Sequence, residues 1–173
     1  MQKGFALTGL ATREELLNSP GYPSAERMAK GAVAVIECTQ EIPCDPCEAA
    51  CPVGAISVGQ PITTVPILDG TKCTGCGLCI AACPGQAIFL VDLTYADSEA
   101  LVAFPYEFLP LPTIGNEVDA VNREGKVVTR GRIVRVLNPR KYDRTPVVYI
   151  AVPKRFAQEV RSIRRERVQE RAR

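Results

Sequence analysis

The sequence predicts an α+β chain: a cysteine-bearing middle between a short helical start and a β-rich remainder. Three observations predict it. All eight cysteines lie in two blocks between residues 38 and 83. Short apolar, β-rich runs bounded by breakers flank those blocks, which is how strands read in sequence. Helix signals come as brief capped segments rather than long amphipathic stretches.

Taken in order, Thr12-Arg-Glu-Glu15 is a capping box: the Thr hydroxyl and the Glu carboxylate each satisfy a backbone N–H of the first turn. A short helix is therefore expected from Arg13 to Leu17, stopping before Asn18-Ser-Pro-Gly21. Ser24 caps a second short helix through Lys30, closed by Gly31. Val33–Glu37 and Ala87–Val91 read as strands, and Ala55–Val58 with Val65–Leu68 as a shorter second pair. Pro52 and Pro84 bias the cysteines before them away from helix. Gly75 and Gly77 have no side chain, so the backbone there can approach sulfur closely.

Beyond Asp92 the composition shifts. Tyr95 to Pro112 mixes acids, aromatics and prolines and reads as an extended segment lying across a surface, wrapping the core rather than strapping a partner. A small β unit follows: Glu117–Val121, a turn at Asn122–Gly125, then Lys126–Leu137. Pro146–Val152 reads as an inner strand. Pro153 suits the first turn of a closing helix, with Phe156, Val160 and Ile163 as its apolar stripe. The division expected is a helical extension over 1–31, a cysteine domain over 32–92 and a β/helix extension over 93–173.

The blocks are Cys38, Cys44, Cys47, Cys51-Pro52 and Cys73, Cys76, Cys79, Cys83-Pro84. They are an internal repeat: Cys44–Ile56 aligns with Cys76–Ile88 at an offset of 32, both reading C-x2-C-x-A-A-C-P-x-x-A-I. Thiolates are soft ligands that select iron–sulfur clusters, zinc or Cu(I). Structural zinc usually takes two C-x2-C pairs, often with His, separated by a longer stretch. Here three or four cysteines run together and the chain has no histidine. A disulfide framework belongs to short secreted chains. Iron–sulfur is thus the leading reading, with zinc the alternative.

The second block, C-x2-C-x2-C-x3-C-P, is the cysteine run of bacterial ferredoxins, and the first is a variant of it. The segment from about Ala32 to Asp92 resembles a dicluster bacterial-type ferredoxin. That resemblance implies a ferredoxin-like dicluster fold, with two short β-hairpins and two short helices around two [4Fe-4S] clusters, and electron transfer as the function. In the motif the fourth cysteine ligates the other cluster. The implied sets are Cys38, Cys44, Cys47 and Cys83 for cluster 1, and Cys51, Cys73, Cys76 and Cys79 for cluster 2. Cys38 stands 35 residues from Cys73, not 32, so the first block carries three extra residues. A buried free thiol is the alternative for Cys38. Asp45-Pro46 adds a negative charge and removes an N–H where the second block has Gly77-Leu78, so cluster 1 is expected to have the lower potential.

The charge is asymmetric. Residues 1–100 hold 5 Lys+Arg against 11 Asp+Glu, a balance of −6, and residues 101–173 hold 16 against 8, a balance of +8, which sum to the net +2. The halves can neutralise each other by packing or dock a charged partner. Lys154–Arg173 carries 8 basic and 3 acidic side chains; a solvated helix face is the first reading, an acidic protein partner the second, nucleic acid the third.

No apolar run approaches a bilayer span and no export signal is visible, so the expected location is the cytoplasm, in an organism with anaerobic metabolism. With no histidine, no phosphate loop and all cysteines spent as ligands, the chain is not expected to catalyse a reaction alone. More weakly, the whole chain resembles the iron–sulfur subunits that accompany FAD-dependent dehydrogenases of amines and amino acids. That implies flavoprotein partners in a hetero-oligomer. A stand-alone soluble ferredoxin is the alternative, and a structural nucleic-acid-binding iron–sulfur protein a remote one.

Overall fold

The computed structural model describes residues 4–165. Three short helices open it: α1 (Phe5–Thr8), α2 (Arg13–Leu17) and α3 (Ala25–Met28). Thr12 and Glu15 form the expected capping box on α2, and Ser24 accepts from the Arg27 N–H on α3. α3 ends at Met28, earlier than the Lys30 expected. The middle contains β1 (Val33–Ile36), α4 (Pro46–Ala49), β2 (Ile56–Ser57), β3 (Ile67–Leu68), α5 (Leu78–Ala82) and β4 (Ile88–Asp92). The remainder is β5 (Glu99–Pro105), β6 (Glu117–Val121), β7 (Val127–Leu137), β8 (Val147–Pro153) and β9 (Ser162–Ile163).

Seven strands make one antiparallel sheet in the order β1-β4-β5-β8-β7-β6-β9, while β2 and β3 pair separately. The first expected strand pair, β1 with β4, is present in the register Val33↔Val91 to Ile36↔Ile88. It is not an isolated hairpin. β5 pairs β4 (Leu90↔Ala103) and β8 pairs β5 along its whole length, so the cysteine segment and the later strands share one hydrogen-bonded sheet. Tyr95–Pro112 is accordingly no surface strap: its middle is β5, an inner strand whose last four residues are all buried.

Side chains alternate between the two faces of a strand, and both faces of the central strands are covered. Ala34, Ile36, Ile88, Leu90, Ala103, Val147 and Tyr149 pack with Cys47, Cys79 and Ile80 on one side. Val35, Phe89, Val91, Val102, Phe104, Val148, Ile150 and Val152 face the second core with Val118, Ala120, Ile133, Val160 and Ile163. Residues of both ends of the sheet meet in that second core, so the sheet curls over it. Glu37, just past β1, reaches Arg123 in the β6–β7 turn and Arg161 just before β9.

The expected closing helix is absent. Pro153 leads into one 3₁₀ turn, Lys154–Phe156, after which the chain extends into β9. Val160 and Ile163 are buried as their pattern implied, but the unpaired edge of β6 captures them. The Arg161 N–H donates to Val121 O at 2.9 Å, and Ile163 lies opposite Ala120. The rest of the expected basic helix, 166–173, lies outside the described residues. No helix is long and apolar enough to cross a membrane among the described residues.

Candidate iron–sulfur site

Each cysteine block folds as loop, short helix, turn. Cys38 follows β1 and Cys44 precedes α4, which carries Cys47, while Cys51 lies just beyond it. In the second block Cys73 and Cys76 precede α5, which carries Cys79, and Cys83 ends it in an extended conformation, φ −77° and ψ 110°. That backbone is what the following Pro84 demands. Pro46 occupies the first turn of α4, where its missing N–H has no helical partner to lose.

Cys51, Cys73, Cys76 and Cys79 line one small pocket together with Ala34 and Ile56. Burial raises the Cys38 thiol, and so do Cys83 and Cys44 beside it; Cys44 is raised by burial, by Cys83 and by the Asp45 carboxylate. Burial pushes Cys47 up to about 11, with Cys83 and Cys44 adding to it. Burial pushes Cys79 up to about 12, helped by Cys73, Cys76 and Cys51. These influences run among Cys38, Cys44, Cys47 and Cys83 and among Cys51, Cys73, Cys76 and Cys79, the two sets that the resemblance implies. Each set draws three members from one block and the fourth from the other.

The donor chemistry fits an iron–sulfur group in each set. Four thiols with mutually repelling charged forms and buried members require a cation to ionise together, and all eight are free of disulfides. Backbone N–H groups already point at sulfur: Ala55 to Cys51 at 3.2 Å, Ala87 to Cys83 at 3.4 Å and Ala34 to Cys73 at 3.5 Å. The first two occupy equivalent positions of the repeat. Among the described residues, no three Cys, Asp or Glu side chains close on one point as ligands of a single metal ion would. For a lone zinc the Zn–S distance is about 2.3 Å.

Ala32 is a close backbone neighbour of Gly75. Its φ is +69°, and a Cβ there would lie 2.6 Å from Ala32 Cβ and 2.7 Å from Ala32 O. The Cys73–Cys76 loop therefore rests closely on the entry to β1. Gly77, at φ +77°, would meet the Tyr149 hydroxyl at 3.0 Å.

Two arginine constellations escaped the sequence reading. Arg27 of α3 donates to four carbonyls: Gly70 at 2.6 Å, Cys73 at 2.8 Å, and Gly31 and Ala32 at 3.0 Å each. Glu37 is half-buried as a residue, with its side chain 8% exposed. It accepts from Arg123 Nε at 2.6 Å, from Arg123 Nη2, and from Arg161 Nε at 2.7 Å. Arg161, itself 5% exposed, also donates to Val160 O at 2.6 Å and Ala157 O at 3.2 Å, and lies over the Phe89 ring. The available signal was Glu37 itself. A carboxylate ending an otherwise apolar strand, one residue before Cys38, needs a cation if it is buried.

The acidic first half and basic second half thus meet through Glu37–Arg123, Glu37–Arg161 and Glu99–Arg132. Part of the basic tail is committed within the fold: Arg161 is buried, Arg164 pairs with Asp119, and Arg165 lies over Phe108.

Residues 37–87 match the 4Fe-4S dicluster domain, an electron-transfer module, and the eight cysteines at 38–83 are consistent with two clusters. The chain is 44% identical over 59 residues to a subunit of the ion-translocating oxidoreductase complex of Methanosarcina acetivorans, covering 34% of this chain and 20% of that protein. It is 44% identical over 45 residues to a subunit of the Na(+)-translocating ferredoxin:NAD(+) oxidoreductase complex of Acetobacterium woodii, covering 26% and 13%. An uncharacterised ferredoxin of Methanocaldococcus jannaschii is 47% identical over 45 residues, covering 26% and 28%. The chain thus spans between 13% and 28% of the length of these relatives. No solved structure matches.

Proposed function

We propose that this chain is an electron-transfer subunit of a multi-subunit, flavin-dependent oxidoreductase. Cys38, Cys44, Cys47 and Cys83 hold one [4Fe-4S] cluster, and Cys51, Cys73, Cys76 and Cys79 hold the other. The observation that carries this reading is the match of residues 37–87 to the 4Fe-4S dicluster domain, supported by one small pocket lined by Cys51 of the first block with Cys73, Cys76 and Cys79 of the second; exchange of the fourth ligand joins two clusters into one relay. When bound, each cluster accepts and releases one electron. The protein supplies thiolates, N–H donors to sulfur and a dry surround on the sheet side, which together tune that step. Two relatives named as subunits of oxidoreductase complexes support the placement in a complex. A flavoprotein dehydrogenase is the partner class proposed.

A second reading, a stand-alone ferredoxin, is favoured by the likeness to the Methanocaldococcus ferredoxin. Anaerobic native purification with mass spectrometry of co-purifying chains separates the two. A stoichiometric flavoprotein supports the first, and a lone reducible monomer the second. Iron and sulfide analysis of the same material tests the ligand assignment: two clusters require about eight of each per chain. Stoichiometric zinc in their place would overturn both readings.

A further inference from the structure

We propose that the two segments flanking the cysteine domain each position and bias one cluster through arginine. Arg27, before the domain, acts on cluster 2; Arg123 and Arg161, after it, act on cluster 1. The inference rests on the two-cluster reading and goes beyond it by assigning these residues a selective role.

For cluster 1 the link runs through Glu37. This residue precedes Cys38 in sequence, and its N–H donates to Ala87 O at 2.8 Å. The Ala87 N–H in turn donates to Cys83 Sγ at 3.4 Å. Fixing Glu37 therefore fixes the backbone at Cys38 and at Cys83, the two members of the set that lie farthest apart in the chain. Glu37 is fixed by two guanidiniums, one bidentate and one buried. A carboxylate with a single arginine would be neutral; with two, the group carries one net positive charge beside Cys38. Among the described residues Arg161 Nη2 has no hydrogen-bond partner, and the carbonyls that Arg161 does bind are neutral, so the excess charge is not cancelled locally. A positive charge held out of water beside a cluster favours the added electron.

For cluster 2 the link runs through Cys73. Arg27 binds Cys73 O directly and also holds Ala32 O, against which Gly75 packs. Ala34, two residues on, donates its N–H to Cys73 Sγ. The acceptors of Arg27 are backbone carbonyls, and no carboxylate is among them. Its charge is therefore solvated by the loop that carries the ligands. The two devices share no residue and touch different ligands, so each should act on one cluster.

The test is a mediated electrochemical titration of the full chain followed by EPR. R123Q and R27Q are the variants, and C76S, which alters only the second set, assigns the two signals. R123Q is preferred to a change at buried Arg161, because it leaves Glu37 paired. The expected result is a lower potential for cluster 1 in R123Q and for cluster 2 in R27Q, the other cluster unmoved in each. About a threefold fall in the reduction equilibrium constant is expected, which is about 28 mV at 59 mV per tenfold for one electron. Shifts of both clusters together, or of neither, overturn the proposal. Native protein with fewer than two clusters by iron, sulfide and EPR spin count would instead show that the two-cluster reading had failed. R123K separates charge from geometry. A lost EPR line shape with an unchanged potential there assigns the fork to positioning, and a native line shape and potential assign the effect to charge.

Discussion

Replacing Gly75 with Ala tests whether the cysteine loop is held by its approach to β1. Two costs add. A non-glycine residue at φ +69° pays about 1–2 kcal/mol for the left-handed conformation. The new methyl would also lie 2.6–2.9 Å from Ala32 Cβ, O and C. Ala32 cannot yield easily, because its carbonyl is held by Arg27 Nη2 at 3.0 Å. The loop carrying Cys73 and Cys76 must move instead, an overpacking cost of about 1–3 kcal/mol. Gly54 is the control. Its φ is +60°, but a Cβ there meets nothing within 4 Å, so G54A pays the conformational cost alone. The assay is the rate at which the visible cluster absorbance bleaches in anaerobic guanidinium, with iron content measured at the start. The excess of about 1–3 kcal/mol corresponds to G75A bleaching roughly five- to 150-fold faster than G54A. Equal rates for the two variants would refute the claim that contact with Ala32, rather than backbone conformation, makes this glycine necessary.

Two further outcomes follow from the fold. Phe104 is fully buried in the core opposite the cysteines, and F104A should cost about 3–5 kcal/mol, read as a fall in the guanidinium midpoint with both EPR signals initially native. At the N-terminus, the Thr12 and Phe5 N–H groups hold the Glu15 carboxyl below its ordinary 4.5. Because the folded value is depressed, the stabilisation is complete above 4.5 and is lost as pH falls through the folded value. The protection of the Phe5 and Thr12 amides, measured relative to their intrinsic exchange rates, should fall across that window, and E15Q should show the reduced protection at neutral pH already.

The parts of this molecule legible in the sequence are those whose cause is local. The cysteine spacing, the Thr12 capping box and the apolar runs of β1, β4 and β8 each depend on residues a few positions apart. The role of Glu99–Pro105 was hidden by its acidic and proline-rich flanks, although β5 tolerates Pro105 because that residue lies at the strand's end. Phe156, Val160 and Ile163 have helical spacing and two of them are fully packed, yet β6 offered an open edge, and sheet pairing overrode the local period. The Arg123–Glu37–Arg161 triad spans separations of 86 and 124 residues. No periodicity encodes that. Only the oddity of a carboxylate closing a buried strand beside a ligand pointed to it.

Those arginines also recast the expectation that cluster 1 has the lower potential. Asp45 acts on Cys44, a different thiol from the Cys38 that follows Glu37, and its negative charge opposes the added electron. Asp45 is exposed, so its field is screened: charges about 7 Å apart in water interact by about 0.6 kcal/mol, roughly 25 mV for one electron. The net positive charge at Glu37 is partly buried, Arg161 fully so, and is less screened; it acts in the other sense. D45N should therefore raise the potential of cluster 1 by roughly 25 mV, R123Q should lower it, and the double variant should return near the native value. The two sites act through different ligands and share no partner, so their effects should add. An unmoved potential in D45N would remove the charge argument and leave the missing N–H of Pro46 as the local difference between the blocks. A double variant that departs from the sum would mean that the two sites are coupled through the Cys38–Cys44 loop.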